Sequence, residues 1–312
     1  MPYHDAMTAI EEPRAPTAVP FEPGTLWRLV RERTRAALAA GALSPIATEP
    51  HTVPEAGLRF SVRRLSSLRE KERARRAQDA TGGDPFLPPD PDLLVADVSA
   101  THVAVLNRFP AIRHHLLVVT REPEDQELPL TAADFQALAR CLGEIDGLAF
   151  YNSHPEAGAS QGHRHLQIVP FPVGDGPAPT PIEAALGPVL QDPGRATLPV
   201  YRFGHAVCPL PATAWHAAEP VPRVAEALAL AYRALACRVG LALTAGRPTA
   251  PYNLVVTRRW MLLVPRRRET FEGVSVNALG FAGSLLVKDR EGLETVRRHG
   301  PLAILEAVAV PR

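Results

Sequence analysis

The octapeptide GHRHLQIV, residues 162–169, constrains this chain more than any other stretch. As a strand, its period of two turns His163, His165 and Gln167 to one face and Arg164, Leu166 and Ile168 to the other. The second face is apolar after its first residue and can lie on a core. The first is not a core face, because two imidazoles and a carboxamide each need hydrogen-bond partners once buried. The pattern predicts a half-packed strand whose polar face lines a pocket.

Just upstream, AGASQG (157–162) supplies two glycines, a hydroxyl and a run of backbone N–H groups, a turn chemistry that lets anionic oxygens approach the main chain. Imidazole beside an anion cradle points to phosphoryl chemistry. A neutral imidazole attacks phosphorus directly, and a polyphosphate leaving group, with a last pKa of about 6 to 7, needs no strong general acid. Zinc is the weaker reading: His154 or a distant carboxylate would have to complete the ligand set, with no cysteine near and no HExxH.

Around this motif the chain alternates strand and helix patterns. Residues 1–22 read as a loose leader, followed by a helix through Leu26, Leu29, Val30, Thr34, Ala37 and Leu38 that stops at Gly41. A strand at 58–62 runs into a charged, mostly basic segment, 63–84, expected as an exposed loop. The runs 93–98, 102–109 and 114–121 predict an antiparallel meander, and Thr131 with Asp134 caps a helix that packs across it. Residues 148–172 read as strand, loop and strand, and the Pro- and Gly-rich 173–199 as a connector; a strand, a helix at 220–240 and strands at 252–257 and 260–264 follow. The letters LVVTR occur in both 115–121 and 252–260, suggesting a duplication. The expected division is a half over 23–175 with the histidine strand and a half over 176–312 completing the site.

Charge narrows the partner. With 34 basic against 33 acidic side chains, no global field draws the protein to nucleic acid or membrane, so an anion site is local and the partner small. Three scattered cysteines fit neither a disulfide framework nor a metal clip, and the start of the chain lacks a signal-peptide pattern, so a cytoplasmic setting is expected.

Asn152 followed by GASQGHRHLQ resembles the nucleotidyltransferase branch of the histidine-triad superfamily, which has Gln where the hydrolases have a third His. LNRFPAIRHHLLVVTR (106–121), YNLVVTRRWMLLVPR (252–266) and VSVNALGFAGSLLVK (274–288) are similar to the other blocks of the diadenosine tetraphosphate phosphorylases, or ATP adenylyltransferases. The resemblance implies an α+β, histidine-triad-like fold: a mostly antiparallel sheet with flanking helices in two related halves. It also implies phosphorolysis, in which His165 takes AMP from diadenosine tetraphosphate, releasing ATP, and phosphate collects the AMP as ADP.

By the same resemblance, Gln167 bonds the phosphoryl oxygen and His163 orients the strand. Gly158, Ala159, Ser160 and Gln161 hold the polyphosphate, and Asn152 fixes a phosphate or ribose oxygen. Asn107 and Arg108 meet the nucleoside, while Asn277, Ala278, Leu279, Ser284 and Lys288 close on substrate from the second half. Lys71 stands for the family's early lysine. No covalent cofactor is implied, only a divalent cation such as magnesium arriving with the polyphosphate; the number of subunits is left open. The alternatives are a hexose-1-phosphate uridylyltransferase, a dinucleoside polyphosphate hydrolase, which Gln167 disfavours, and a non-enzymatic nucleotide- or RNA-binding module using the basic run 63–76 and Arg266, Arg267 and Arg268.

Overall fold

The computed structural model describes residues 19–65, 83–192, 194, 196–211, 215, 221–243 and 246–312. Lys71 and most of the basic run 63–76 lie outside them, as does most of the leader.

Helix α1 (Leu26–Ala39) forms as its apolar spacing predicts, burying Leu26, Val30, Thr34 and Ala37. A hairpin follows, β1 (Thr48–Glu55) and β2 (Leu58–Leu65). The sequence reading missed β1 because it carries Pro50 and Pro54. The strand survives because it is an edge, paired on one side only, where a missing N–H can face solvent.

The expected meander forms as β3 (Leu94–Asp97), β4 (His102–Leu106) and β5 (Leu116–Thr120). Helix α2 (Ala132–Leu142) then starts at Thr131 in a complete capping box with Asp134. Strand β6 (Gly147–Asn152) and the histidine strand β7 (His165–Pro170) follow. The segment 173–199, expected as a bare connector, contains helix α3 (Glu183–Gln191), whose Gly187 and Pro188 masked its helical character.

The second half supplies β8 (Ala206–Pro209), α4 (Val221–Arg238), β9 (Tyr252–Val256) and β10 (Trp260–Pro265). The short hairpin β11 (Thr270–Phe271) and β12 (Val274–Ser275) leads through a 3-10 turn at Ala278–Ala282 to β13 (Ser284–Val287). Helices α5 (Arg290–His299) and α6 (Pro301–Val308) close the chain.

Eight strands make one antiparallel sheet in the order β3-β4-β5-β7-β6-β9-β10-β8, and β13 adds in parallel to β2 in a separate sheet, β1-β2-β13. Six strands of the large sheet are arranged symmetrically about the β6–β9 seam, with β3 and β4 added on one side. Outward from it run β6, β7, β5 on one side and β9, β10, β8 on the other, with α2 leading into β6 and α4 into β9. The two halves are thus related, but by a correspondence of β9 with β6. The shared LVVTR letters link β9 to β5 instead, and so do not mark the duplication.

Helices α1, α2 and α4 cover one face of the sheet with a single large apolar cluster. On the opposite face, α3, α5, α6, β2 and β13 pack over Leu148, Phe150, Val255 and Leu262. A smaller cluster, Val103, Val105, Leu117 and Val119 with Phe86 and Leu94, lies on that same face farther out. The register puts His165 opposite Val119 and Gln167 between Leu117 and Phe150, so the polar face of β7 runs between the two apolar clusters. Among the described residues no helix is long and apolar enough to cross a membrane.

Candidate active site

His165 is 3% exposed, and its ring is fixed by one bond: Nδ1 lies 2.8 Å from the His163 carbonyl oxygen. A carbonyl only accepts, so Nδ1 carries the proton and Nε2 is left with a lone pair. The main chain is held too, His165 N–H donating to Oε1 of Gln126 at 2.8 Å, while Gln126 Nε2 donates to the Asn152 carbonyl at 2.8 Å. Burial pulls the imidazole down to about 4, against smaller upward effects of the His163 carbonyl and the Asp84 charge. At neutral pH the ring is therefore a neutral imidazole of fixed tautomer, with a lone pair on Nε2.

His163 has acceptors on both sides. Its Nε2 is 2.8 Å from the Thr120 carbonyl and its Nδ1 2.6 Å from Oδ2 of Asp84. This locks the residue whose own carbonyl orients His165. Two residues on, the Phe86 ring stands 5.6 Å from His163 and 5.3 Å from His165, walling the site on the side of the outer apolar cluster.

Gln167 is oriented by a relay that fixes every tautomer along it. Asn107 Nδ2 donates to His115 Nδ1 at 3.2 Å, so His115 carries its proton on Nε2 and donates it to Gln167 Oε1 at 3.0 Å. With its oxygen committed, Gln167 presents its NH₂ group. Asn107 Oδ1 in turn accepts from Phe109 N–H at 3.0 Å. Each end of the Asn107 amide thus makes one bond inside the protein. Arg108 is likewise turned to Asp90, 2.5 Å away at the surface.

In the loop expected to hold the polyphosphate, Gly158 N–H donates to the Pro155 carbonyl at 2.8 Å and Ala159 N–H to that of His154 at 3.0 Å, so these two groups close the turn. Gly158 sits at φ +88 with no room for a Cβ, which would lie 2.9 Å from Cβ of Asn277. Ser160 is exposed, and with Gln161, Gly162, Gln126 and Glu127 it borders a cavity of about 170 Å³.

Asn152 is 2% exposed and works as a joint rather than an open ligand: its Oδ1 accepts from Asn253 Nδ2 at 2.8 Å and from Ala278 N–H at 3.0 Å. This brings Asn277 and Ala278 to the loop. The Leu279 side chain is buried, and its N–H donates to Asn277 Oδ1 at 3.0 Å. Ser284 is buried opposite Ser61 in the small sheet, and Lys288 is exposed beyond β13; no bond to β7 is made by either among the described residues.

Behind the strand, Arg164 is 2% exposed and pairs with Glu124 at 2.6 Å and Asp134 at 3.2 Å, while His102 reaches Asp134 at 3.1 Å. The first residue of the apolar face is thus accommodated by neutralisation.

Sequence reasoning missed Asp84, Phe86, His115, Gln126, Asn253 and Arg266. Only His115 left a signal, sharing the period of Leu117 and Val119 in β5.

A second buried imidazole, His205, repeats the same device, with Nδ1 bonded to the Phe203 carbonyl at 2.8 Å and burial pulling it down to about 4. An unfolded histidine titrates near 6.5, so between about 6.5 and 4 the unfolded chain binds more protons. The stability that these neutral imidazoles provide is complete above about pH 6.5 and is lost as pH falls through about 4, roughly 3 kcal/mol for each. Thermal melts from pH 7 to 4.5 are expected to show a falling Tm that flattens in His205→Gln; parallel curves would contradict this.

Residues 16–188 match the family model of the Ap4A phosphorylase N-terminal domain, and residues 199–311 that of the ATP adenylyltransferase C-terminal domain. The chain is 29% identical over 270 residues to Saccharomyces cerevisiae diadenosine 5',5'''-P1,P4-tetraphosphate phosphorylase 2, covering 78% of this chain and 80% of that one. It is 28% identical over 301 residues to the Protein APA1 of the same yeast, covering 86% and 88%. Among solved structures it resembles yeast Ap4A phosphorylase Apa2 in complex with Ap4A, with a TM-score of 0.73, 26% identity and coverage of 93% and 99%.

Proposed function

The chain belongs to the family of Ap4A phosphorylases and ATP adenylyltransferases, and from that premise we propose that it splits diadenosine tetraphosphate with inorganic phosphate to give ATP and ADP. The observation that carries this reading is the tautomer of His165, whose Nδ1 proton is held by the His163 carbonyl, leaving the Nε2 lone pair on the same strand face as the NH₂ group of Gln167.

Nε2 attacks the phosphorus bearing one adenosine; an N–P bond forms, the P–O bond to the rest of the chain breaks, and ATP leaves. The imidazole bonded to phosphorus is cationic, and its Nδ1–H remains on the His163 carbonyl, which stabilises that charge. A phosphate oxygen then attacks the same phosphorus, the N–P bond breaks, ADP leaves and His165 returns to its starting tautomer. Gln167 donates to the phosphoryl oxygen throughout, and its amide, neither acid nor base, gives water no help. ATP departs without a strong acid, since a polyphosphate is already an adequate leaving group.

Ser160 and the stretch to Gly162 hold the polyphosphate, whose own magnesium ion accompanies it, and the setting is cytoplasmic. Incubation with diadenosine tetraphosphate, followed by ion-exchange separation, tests the whole proposal. ATP and ADP formed only with phosphate present are expected; AMP formed without phosphate would mean hydrolysis instead.

The relay behind Gln167 makes a further expectation. His115→Ala leaves the amide of Gln167 free to rotate, and kcat is expected to fall about tenfold with KM within about threefold, as for a group acting through transition-state orientation. An unchanged kcat in steady-state assays would show that something else holds the amide.

A further inference from the structure

Arg266 opens a run of three arginines that reads as a surface patch, yet it is 1% exposed. Its guanidinium lies under the junction of the two halves. Nη1 bonds Oδ1 of Asn253 at 2.5 Å, the Val276 carbonyl at 2.8 Å and the Ala157 carbonyl at 3.4 Å. Nη2 bonds the carbonyls of Arg268 at 2.8 Å and Glu269 at 3.3 Å, and Nε that of Val308 at 3.2 Å.

Every one of these acceptors is a neutral carbonyl or amide oxygen. Burial draws the guanidinium down to about 9, opposed by the nearby charge of Glu269, so at neutral pH it remains a cation. The Glu269 carboxylate itself is bonded to Ser275 Oγ at 2.7 Å. The Phe281 ring centroid also lies 5.4 Å from the guanidinium carbon, and taking such a charge out of water is costly.

The two main-chain oxygens held by Nη1 belong to the segments that meet at the substrate site. Ala157 precedes Gly158 in the loop of the first half, and Val276 precedes Asn277 and Ala278 in the second. Gly158 packs directly on Asn277 and on the Val276 carbonyl. Asn253, bonded to the same nitrogen, passes the arrangement on to Asn152, whose oxygen holds Ala278 N–H. Because a trans peptide sets N–H opposite C=O, the Val276 carbonyl directed at Arg266 turns the Asn277 N–H away from it.

We propose that Arg266 is a positioning residue for the polyphosphate: it staples the Gly158 loop to the Asn277–Ala278 turn from beneath and supplies a fixed positive potential under the anion site. This rests on the polyphosphate-transfer reading above. A charge behind the binding surface, in a low-dielectric interior, attracts the phosphates without being screened by salt or paired with them directly.

Calorimetric titration with ATP and with uncharged adenosine tests this in the wild type, Arg266→Gln and Arg266→Lys. The glutamine protein keeps an amide donor for the carbonyls but loses the charge; its ATP affinity is expected to fall at least about tenfold, with adenosine affinity within about twofold. The lysine protein keeps the charge and is expected within about threefold of wild type for ATP. Equal loss for both ligands, or no loss of ATP in the glutamine protein, overturns the proposal. Should the glutamine protein not fold, the lysine protein decides: a tenfold loss of ATP with adenosine unchanged would show that charge alone does not suffice and overturn it, and retained ATP affinity supports it. Phosphate-dependent turnover by the wild type is scored separately, so failure of the Arg266 proposal is distinguishable from failure of the phosphorylase reading.

Discussion

His165→Ala is expected to lower kcat by at least about 10⁴ while the affinity for nucleotide stays within about tenfold, because the nucleophile contributes mainly in the transition state. No neighbour can take over. His163 has Nδ1 on Asp84 and Nε2 on the Thr120 carbonyl, and His115 has both nitrogens in the relay to Gln167, so neither of these imidazoles offers a lone pair to phosphorus. The protein is expected to keep its fold, as among the described residues the ring makes a single hydrogen bond, to the His163 carbonyl, and its main-chain N–H remains on Gln126. Trapping of an acid-labile adenylyl group is the sharper assay: label is expected in the wild type mixed with diadenosine tetraphosphate in the absence of phosphate, and none in the variant. Turnover close to wild type would move the nucleophile elsewhere.

How far the site was legible follows from what each residue owes to local sequence. The histidine strand was readable because alternation is a property of consecutive residues, and three polar groups on one face conflict with burial whatever the rest of the fold. Thr131 and Asp134 were readable for the same reason, since a capping box spans one helical turn. Asp84, Gln126 and Arg266 were not: each reaches the site across the chain and lies in a segment whose local pattern is a turn or a charge run. Arg266 even pointed the wrong way, since a triple arginine is ordinarily solvated and only the tertiary structure surrounds one member with carbonyls.

Resemblance filled part of that gap. The structure brings Asn152, Gly158, Asn277 and Ala278 together, a geometry that depends on the fold. It also shows that Asn152 and Asn107 make bonds within the protein and that the N–H groups of Gly158 and Ala159 close a turn. Nε2 of His165 and the NH₂ of Gln167 are each backed by bonded residues, the His163 carbonyl behind one and the His115–Asn107 relay behind the other.

Gln167 provides the second large effect and the test of what its amide does. Gln167→Ala removes the donor to the phosphoryl oxygen, and a loss of about 10² to 10³ in kcat is expected, the range for one preorganised donor in a buried site. Alanine also removes volume, so that result alone would not separate donation from packing. Gln167→Glu does. A glutamate of the same shape still accepts from His115 Nε2 at the position now 3.0 Å away, but turns an anionic oxygen where the NH₂ stood. If the amide acts as a donor, the glutamate protein is expected to lose at least as much kcat as the alanine protein, and to regain part of it at low pH as the carboxyl protonates. If the side chain acts only by filling space, the glutamate protein will retain activity near wild type while the alanine protein falls. Steady-state rates for the pair, measured from pH 5 to 8, decide between donation and packing.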